Sequence, residues 1–136
     1  MGPRVRGFRI LFVEDHGDTL AVTGWLLRAA GHSVVSADCC ASAAEAAKGD
    51  RFDLLITDIG LPDGDGRSLL PEIRRDYAIE GIVVSAFGDP RDVARSRDAG
   101  FAAHLVKPIN FAALDAAIDQ LAPRGIRAEQ SSVVRN

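Results

Sequence analysis

The sequence predicts an α/β domain, a (βα)5 doubly wound sheet of five parallel strands with helices on both faces. Three observations predict it. The chain has 136 residues, 47% of them apolar, which suits one well-filled core and is short for two. Five short aliphatic runs alternate with five longer segments of helical apolar spacing. The short runs are continuously apolar rather than alternating, as in strands covered on both faces. Strands and helices interleaved in this way form repeated βαβ units around a parallel sheet.

The strands are predicted at Arg9–Val13, Ser33–Ala37, Asp53–Thr57, Gly81–Val84 and Ala102–Val106. Asp18 or Thr19 is the expected cap of a first helix, with Val22, Trp25, Leu26 and Ala29 as its inward stripe and Gly31 as its stop. Trp25 is expected to pack within that helix. Ser42 to Lys48 reads as a short Ala-rich second helix closed by Gly49, and Leu69, Leu70, Ile73 and Tyr77 mark a third. Pro90 suits the first turn of a fourth helix, which Gly100 stops. Phe111, Leu114, Ile118 and Leu121 stripe a fifth, ended by Pro123. These limits give a polar N-terminal tail over 1–7, the domain over 8–123 and a polar C-terminal tail over 124–136.

Charge narrows the function classes. Sixteen Lys and Arg against 19 Asp and Glu leave a net charge of −3, which argues against a general nucleic-acid binder. The clean apolar run nearest the start is only Ile10 to Val13, far short of a signal h-region or of the about 20 residues of a spanning helix. Met1-Gly2 begins like a myristoylation signal, but Arg6 stands where Ser or Thr is required. Cys39 and Cys40 are adjacent and make no long-loop disulfide, so a reduced, cytoplasmic setting is expected, with no membrane partner.

In a doubly wound sheet, functional groups gather beyond the C-terminal strand ends. The residues there are Glu14-Asp15, Asp38, Asp58, Ser85 and Lys107. Clustered carboxylates repel and call for a cation, and oxygen ligands of this kind suit Mg²⁺. Lys107 can neutralise the acids and then a phosphoryl group as a point charge. Pro108 would turn the backbone so that the lysine faces inward, and a cis Lys107–Pro108 bond is compatible with that turn. Ser85 can donate a hydroxyl to a phosphoryl oxygen, and the small Ala86 leaves room for the group.

Those positions resemble the receiver domain of two-component response regulators. The likeness runs from about Arg9 to Leu121. It rests on Val13-Glu14-Asp15, on Ile56-Thr57-Asp58-Ile59-Gly60-Leu61-Pro62, on Val84-Ser85-Ala86 and on His104-Leu105-Val106-Lys107-Pro108, in order at the ends of strands one, three, four and five. The segment from Ala99 to Pro108 also looks like receivers associated with hybrid sensor histidine kinases. The resemblance implies a flavodoxin-like strand order 2-1-3-4-5 and a non-enzymatic phosphoacceptor that assists its own phosphoryl transfer. Asp58 would be the phosphoacceptor; Asp15, Asp58 and the Gly60 backbone carbonyl would hold Mg²⁺, with Glu14 acting through a water. Lys107, Ser85 and Ala86 would meet the phosphoryl group, and His104 holds the position whose ring moves between exposed and buried as the domain switches. The implied partner is a sensor histidine kinase or a histidine phosphotransfer protein docking near helix one, with an unidentified downstream protein beyond it. A monomer or a phosphorylation-dependent dimer fits, and the face of helix four, strand five and helix five is its natural output surface.

Departures and rivals complete the reading. Gly60 puts no side chain two residues after Asp58, and Phe87 stands two beyond Ser85, which together predict an unexceptional to moderate phosphoryl lifetime. A dehalogenase-type phosphatase would need an acid at the Gly60 position. A dinucleotide domain would need G-x-G-x-x-G where Glu14-Asp15-His16 stands. Asp63-Gly64-Asp65-Gly66 falls short of a calcium loop, because Leu61 fills its first ligand position; it reads as a turn entering helix three. His16, His32 and His104 share no zinc spacing. The serious alternative is a receiver-like interaction module that works without phosphorylation. Only about 13 residues follow Pro123, too few for an output domain, so a stand-alone receiver or one cut from a longer protein is expected.

Overall fold

The first strand, β1 (Arg9–Val13), is buried from Ile10 onward. In this computed structural model residues 7–121 are described. Helix α1 (Gly17–Ala29) returns the chain to β2 (Ser33–Ala37), and α2 (Cys40–Gly49) leads to β3 (Leu54–Asp58). A two-stranded ribbon, Gly60–Leu61 against Gly64–Asp65, and a 3-10 turn at Gly66–Ser68 precede α3 (Leu69–Arg74). Then follow β4 (Glu80–Ser85), α4 (Pro90–Asp98), β5 (Ala103–Val106) and α5 over 111–121. The five long strands are all parallel, in the order β2-β1-β3-β4-β5.

Alternate residues of each central strand enter opposite cores, as a period of two requires. Leu11, Val13, Leu55 and Val83 pack with Ala43, Ala47, Leu70 and Ile73 on one side. Ile10, Phe12, Leu54, Ile56 and Ile82 pack with Leu27, Leu114 and Ile118 on the other. Truncating a fully buried member such as Leu55 or Ile56 to Ala would cost about 2–5 kcal/mol. The sheet is thus a rigid platform, and its carboxyl edge is where the acidic residues emerge.

The strand predictions hold with small shifts. β3 begins at Leu54 and runs through Asp58, one residue later than expected, and Asp53 instead accepts the Arg9 N–H on its carboxylate at 2.8 Å. β4 is longer at both ends and β5 starts at Ala103. Helix α2 starts earlier than expected, with the Cys39 sulfur accepting the Ser42 N–H. Tyr77 lies beyond the end of α3, yet it packs on the same core.

Helix α1 differs more. It starts at Gly17, behind His16, with no side-chain cap, so neither Asp18 nor Thr19 caps it. Its buried residues are Thr23, Gly24 and Leu27, whereas Val22 is 58% and Trp25 66% exposed. Leu20, Thr23, Gly24 and Leu27 also follow the i, i+3, i+4, i+7 spacing, so apolar periodicity alone marks two faces. Packing decides between them: Thr23, Gly24 and Leu27 face inward, with Leu27 in the core beside Ile10 and Phe12. Trp25 therefore stands on the surface.

Two glycines fix the shape around the strand ends. A Cβ on Gly66 would lie 1.9 Å from the Asp58 carbonyl oxygen, so only glycine lets the ribbon return against β3. Its N–H donates to the Ile59 carbonyl at 2.8 Å. Gly100, at φ +101°, ends α4 in the left-handed region as expected. Asp63, at the ribbon's tip, accepts the N–H groups of Cys40 and Ala41 at 2.7 and 2.9 Å. It thereby caps α2 from a separate loop.

Candidate functional site

Four strand ends converge on one small polar centre. Glu14 leaves β1 with only 1% of its surface exposed, and its backbone N–H donates to the Ala37 carbonyl. Asp58 ends β3 at 6% exposure, and Lys107 follows β5, its backbone N–H donating to the Ser85 carbonyl at 2.7 Å. The Lys107–Pro108 peptide is cis. The Lys107 ammonium lies 2.7 Å from Asp58 Oδ2 and 3.3 Å from Glu14 Oε1. It thus bridges two carboxylates that would otherwise face each other in a poorly solvated site.

Burial works against the Lys107 charge, but the hydrogen bond and charge of Asp58, reinforced by Glu14, outweigh it and raise its pKa above the ordinary lysine value. The lysine stays cationic at neutral pH. Asp15 and His16 are exposed beside the buried pair, and the His16 N–H donates to Glu14 Oε2 at 3.0 Å. Among the described residues, Glu14, Asp15 and His16 bring ligand atoms within 4.8 Å of one another. Carboxylates at Glu14, Asp15 and Asp58 outnumber the single ammonium, and oxygen donors with surplus negative charge fit a hard dication such as Mg²⁺. Gly60 lies exposed on the ribbon, two residues from Asp58, with open space where a Cβ would be. Asp38 is exposed and accepts the Ser42 hydroxyl at 3.5 Å.

Ser85 closes the other side. It is buried, and its hydroxyl donates to the Phe87 carbonyl at 2.5 Å and lies 2.7 Å from His104 Nε2. His104 is half-buried and its Nδ1 is 3.0 Å from the Ser96 hydroxyl on α4. Ala86 and Pro108 are exposed. His32 lies apart from all of this, buried at the other end of β2, where its Nδ1 accepts the Phe8 N–H at 3.0 Å.

Sequence reading passed over three residues that shape the centre. Thr57 is fully buried and its hydroxyl donates to the Asp58 carbonyl at 3.0 Å. Arg67 is nearly buried and reaches Asp65 at 2.7 Å and Asp92 on α4 at 3.4 Å, tying the ribbon to that helix. Its hydrogen bond to Asp65 is the main reason that carboxyl sits below its ordinary pKa. Ser96 is the third. The Asp65–Arg67 spacing is a sequence signal for a local pair, whereas the reach to Asp92 depends on packing.

Comparison with known proteins agrees with this geometry. The chain is 34% identical over 123 residues to the gliding motility regulatory protein of Myxococcus xanthus, covering 88% of this chain and 16% of that protein. It is also 34% identical over 116 residues to the transcriptional activator protein PfeR of Pseudomonas aeruginosa, covering 85% of this chain and 38% of that protein. It spans well under half the length of both. A solved CheY-like response regulator receiver domain protein from Methanospirillum hungatei JF-1 superposes with a TM-score of 0.82 at 26% identity, covering 90% of this chain and 98% of that one. No described helix is long and apolar enough to cross a membrane. Residues 10–119 match the response regulator receiver domain, and the chain belongs to that family of signalling domains.

Proposed function

We propose that this receiver accepts a phosphoryl group on Asp58 from a phosphohistidine partner, with Mg²⁺, and changes conformation in response. The observation that carries this reading is the Lys107 ammonium held 2.7 Å from a buried carboxylate at the end of the central strand. An Asp58 oxygen attacks phosphorus, the phosphorus–nitrogen bond to the partner's imidazole breaks, and its electron pair returns to that nitrogen. Asp15, Asp58 and the Gly60 carbonyl would hold the metal, with Glu14 contributing through a water. When bound, the ion supplies charge neutralisation at the carboxylates and the incoming phosphoryl oxygens.

Lys107 then passes from a carboxylate to a phosphoryl oxygen, keeping its charge throughout. Ser85 turns its hydroxyl from the Phe87 carbonyl to the same group, with space above Ala86. Contacts that differ between the two states shift an existing equilibrium. The exposed Trp25 and Val22 on α1 offer an apolar surface on the helix that follows Glu14-Asp15, which supports docking of a sensor histidine kinase or phosphotransfer protein there. Phe87 and Val106, both exposed, lie on the α4, β5 and α5 side where a downstream protein or a second copy would respond. In this reading the domain works in the cytoplasm as a phosphorelay component rather than as an enzyme with a separate substrate.

Incubation with acetyl phosphate and Mg²⁺, followed by intact mass, tests the proposal. One phosphoryl adduct on the wild type and none on Asp58→Asn is expected. An unmodified wild type, or equal modification of Asp58→Asn, overturns it and favours the phosphorylation-independent interaction module.

A further inference from the structure

The ribbon that carries Gly60 is held at two points. At its base the Gly66 N–H donates to the Ile59 carbonyl at 2.8 Å, and Gly60 pairs with Asp65 across the turn. At its tip the Asp63 carboxylate accepts the N–H groups of Cys40 and Ala41 at 2.7 and 2.9 Å, one on each oxygen. Those two N–H groups belong to the first turn of α2, where a helix has no carbonyl of its own to offer. Helix α2 carries no acidic residue in that turn, so the anion that suits its N-terminus comes from the ribbon. The Cys40 sulfur also lies close by, 3.6 Å from where a Cβ on Gly64 would stand. The hydrogen bonds from Cys40 and Ala41 hold the Asp63 carboxyl below its ordinary pKa, so it is ionised at neutral pH.

Gly60 has no side chain to anchor it, is exposed, and has nothing within 4 Å of where its Cβ would be. Its carbonyl therefore takes its position from the base and the tip of the ribbon. We propose that Asp63 is a positioning residue for the metal site: by seating the ribbon on α2 it holds the Gly60 carbonyl in place beside Asp58, and so couples Mg²⁺ binding to the N-terminus of α2. The inference rests on the reading that the Gly60 carbonyl takes the metal. Coupling of this kind is reciprocal, so whatever Asp63 adds to metal affinity the metal returns to the hydrogen bonds at Cys40 and Ala41. A cap with no link to the site would stabilise α2 and leave both of these unchanged.

Nitrogen-15 NMR of the full, unphosphorylated chain reads both sides of the coupling. Titrating Mg²⁺ against the amide shifts of Asp58 and Gly60 should give a Kd about 5-fold or more weaker in Asp63→Ala than in the wild type, the low end of ordinary coupling between sites. Asp63→Asn, which keeps one acceptor oxygen, should fall between them and serves if the alanine variant does not fold. In the wild type, saturating Mg²⁺ should slow hydrogen exchange at the Cys40 and Ala41 amides by a similar factor, and in Asp58→Asn it should not. Equal Mg²⁺ affinity in the wild type and the folded variants, or exchange at Cys40 and Ala41 that ignores the metal, overturns the proposal. Slowing that persists in Asp58→Asn overturns it too, since the ion then acts from elsewhere. A wild type whose Asp58 and Gly60 signals never respond to Mg²⁺ is a distinct result, which overturns the metal reading itself and the coupling with it.

Discussion

Removing the ammonium from the polar centre should expose the repulsion it conceals. Lys107→Met keeps the length of the stem but leaves Glu14 and Asp58 facing each other, at 1% and 6% exposure. Unit charges about 4 Å apart interact by roughly 4 kcal/mol at an effective dielectric of about 20. Breaking a buried pair by removing one partner typically costs about 3–5 kcal/mol. The Lys107 side chain keeps 27% of its surface in water, so the expected loss is smaller, about 2–3 kcal/mol. Adding Asp58→Asn in that background removes one of the two repelling charges and should recover about 1–2 kcal/mol. Saturating Mg²⁺ should stabilise Lys107→Met more than the wild type, since the dication replaces the missing charge. Urea unfolding of the wild type, Lys107→Met and the double variant, each with and without the metal, measures these six states. A Lys107→Met protein within about 0.5 kcal/mol of the wild type, or further destabilised by Asp58→Asn, refutes the reasoning.

Other consequences are equally measurable. The Lys107 pKa is raised on folding, so its contribution is complete below the ordinary lysine value of about 10.4 and fades as pH rises through the folded pKa. Unfolding curves on the alkaline side should lose that slope in Lys107→Met. Asp65 behaves in the opposite sense: chiefly through its Arg67 hydrogen bond its pKa is lowered, so its contribution is present above about 3.9 and lost as pH falls through the folded value. Arg67→Met should therefore flatten the acid limb of stability in urea melts. Burial, with Asp63 next, pushes the Cys40 thiol up to about 11, so iodoacetamide should label it slowly at neutral pH and faster in Asp63→Asn. Gly60 has open space for a side chain and Phe87 is exposed, so replacements there should change the phosphoryl decay time without a folding cost; an unchanged decay time counts against their role.

What could be read from the sequence was what the fold rule locates. Glu14, Asp58, Ser85 and Lys107 each stand one step from an aliphatic run, and a parallel sheet brings such steps to one edge. The three central strands, β1, β3 and β4, were legible because burial on both faces leaves a continuous apolar signature, whereas β2 and β5 at the sheet's edges are mostly exposed or half-buried. The orientation of α1 was not legible, since Leu20 to Leu27 and Val22 to Ala29 carry the same spacing and tertiary packing chooses between them. Nor were the partners of Arg67 and His104 on α4 legible. Those contacts join residues from different elements, and side-chain direction at such distances follows from packing rather than from local pattern.

The most direct measurement is the position of the phosphoryl group. The tryptic fragment 52–67 holds Asp53, Asp58, Asp63 and Asp65, four candidates on one peptide. Reductive trapping of the acyl phosphate with borohydride, followed by fragment mass spectrometry, distinguishes them. The account predicts the mark on Asp58 alone, formed only with Mg²⁺ present. A mark on Asp53, Asp63 or Asp65, or one formed equally well without the metal, contradicts it.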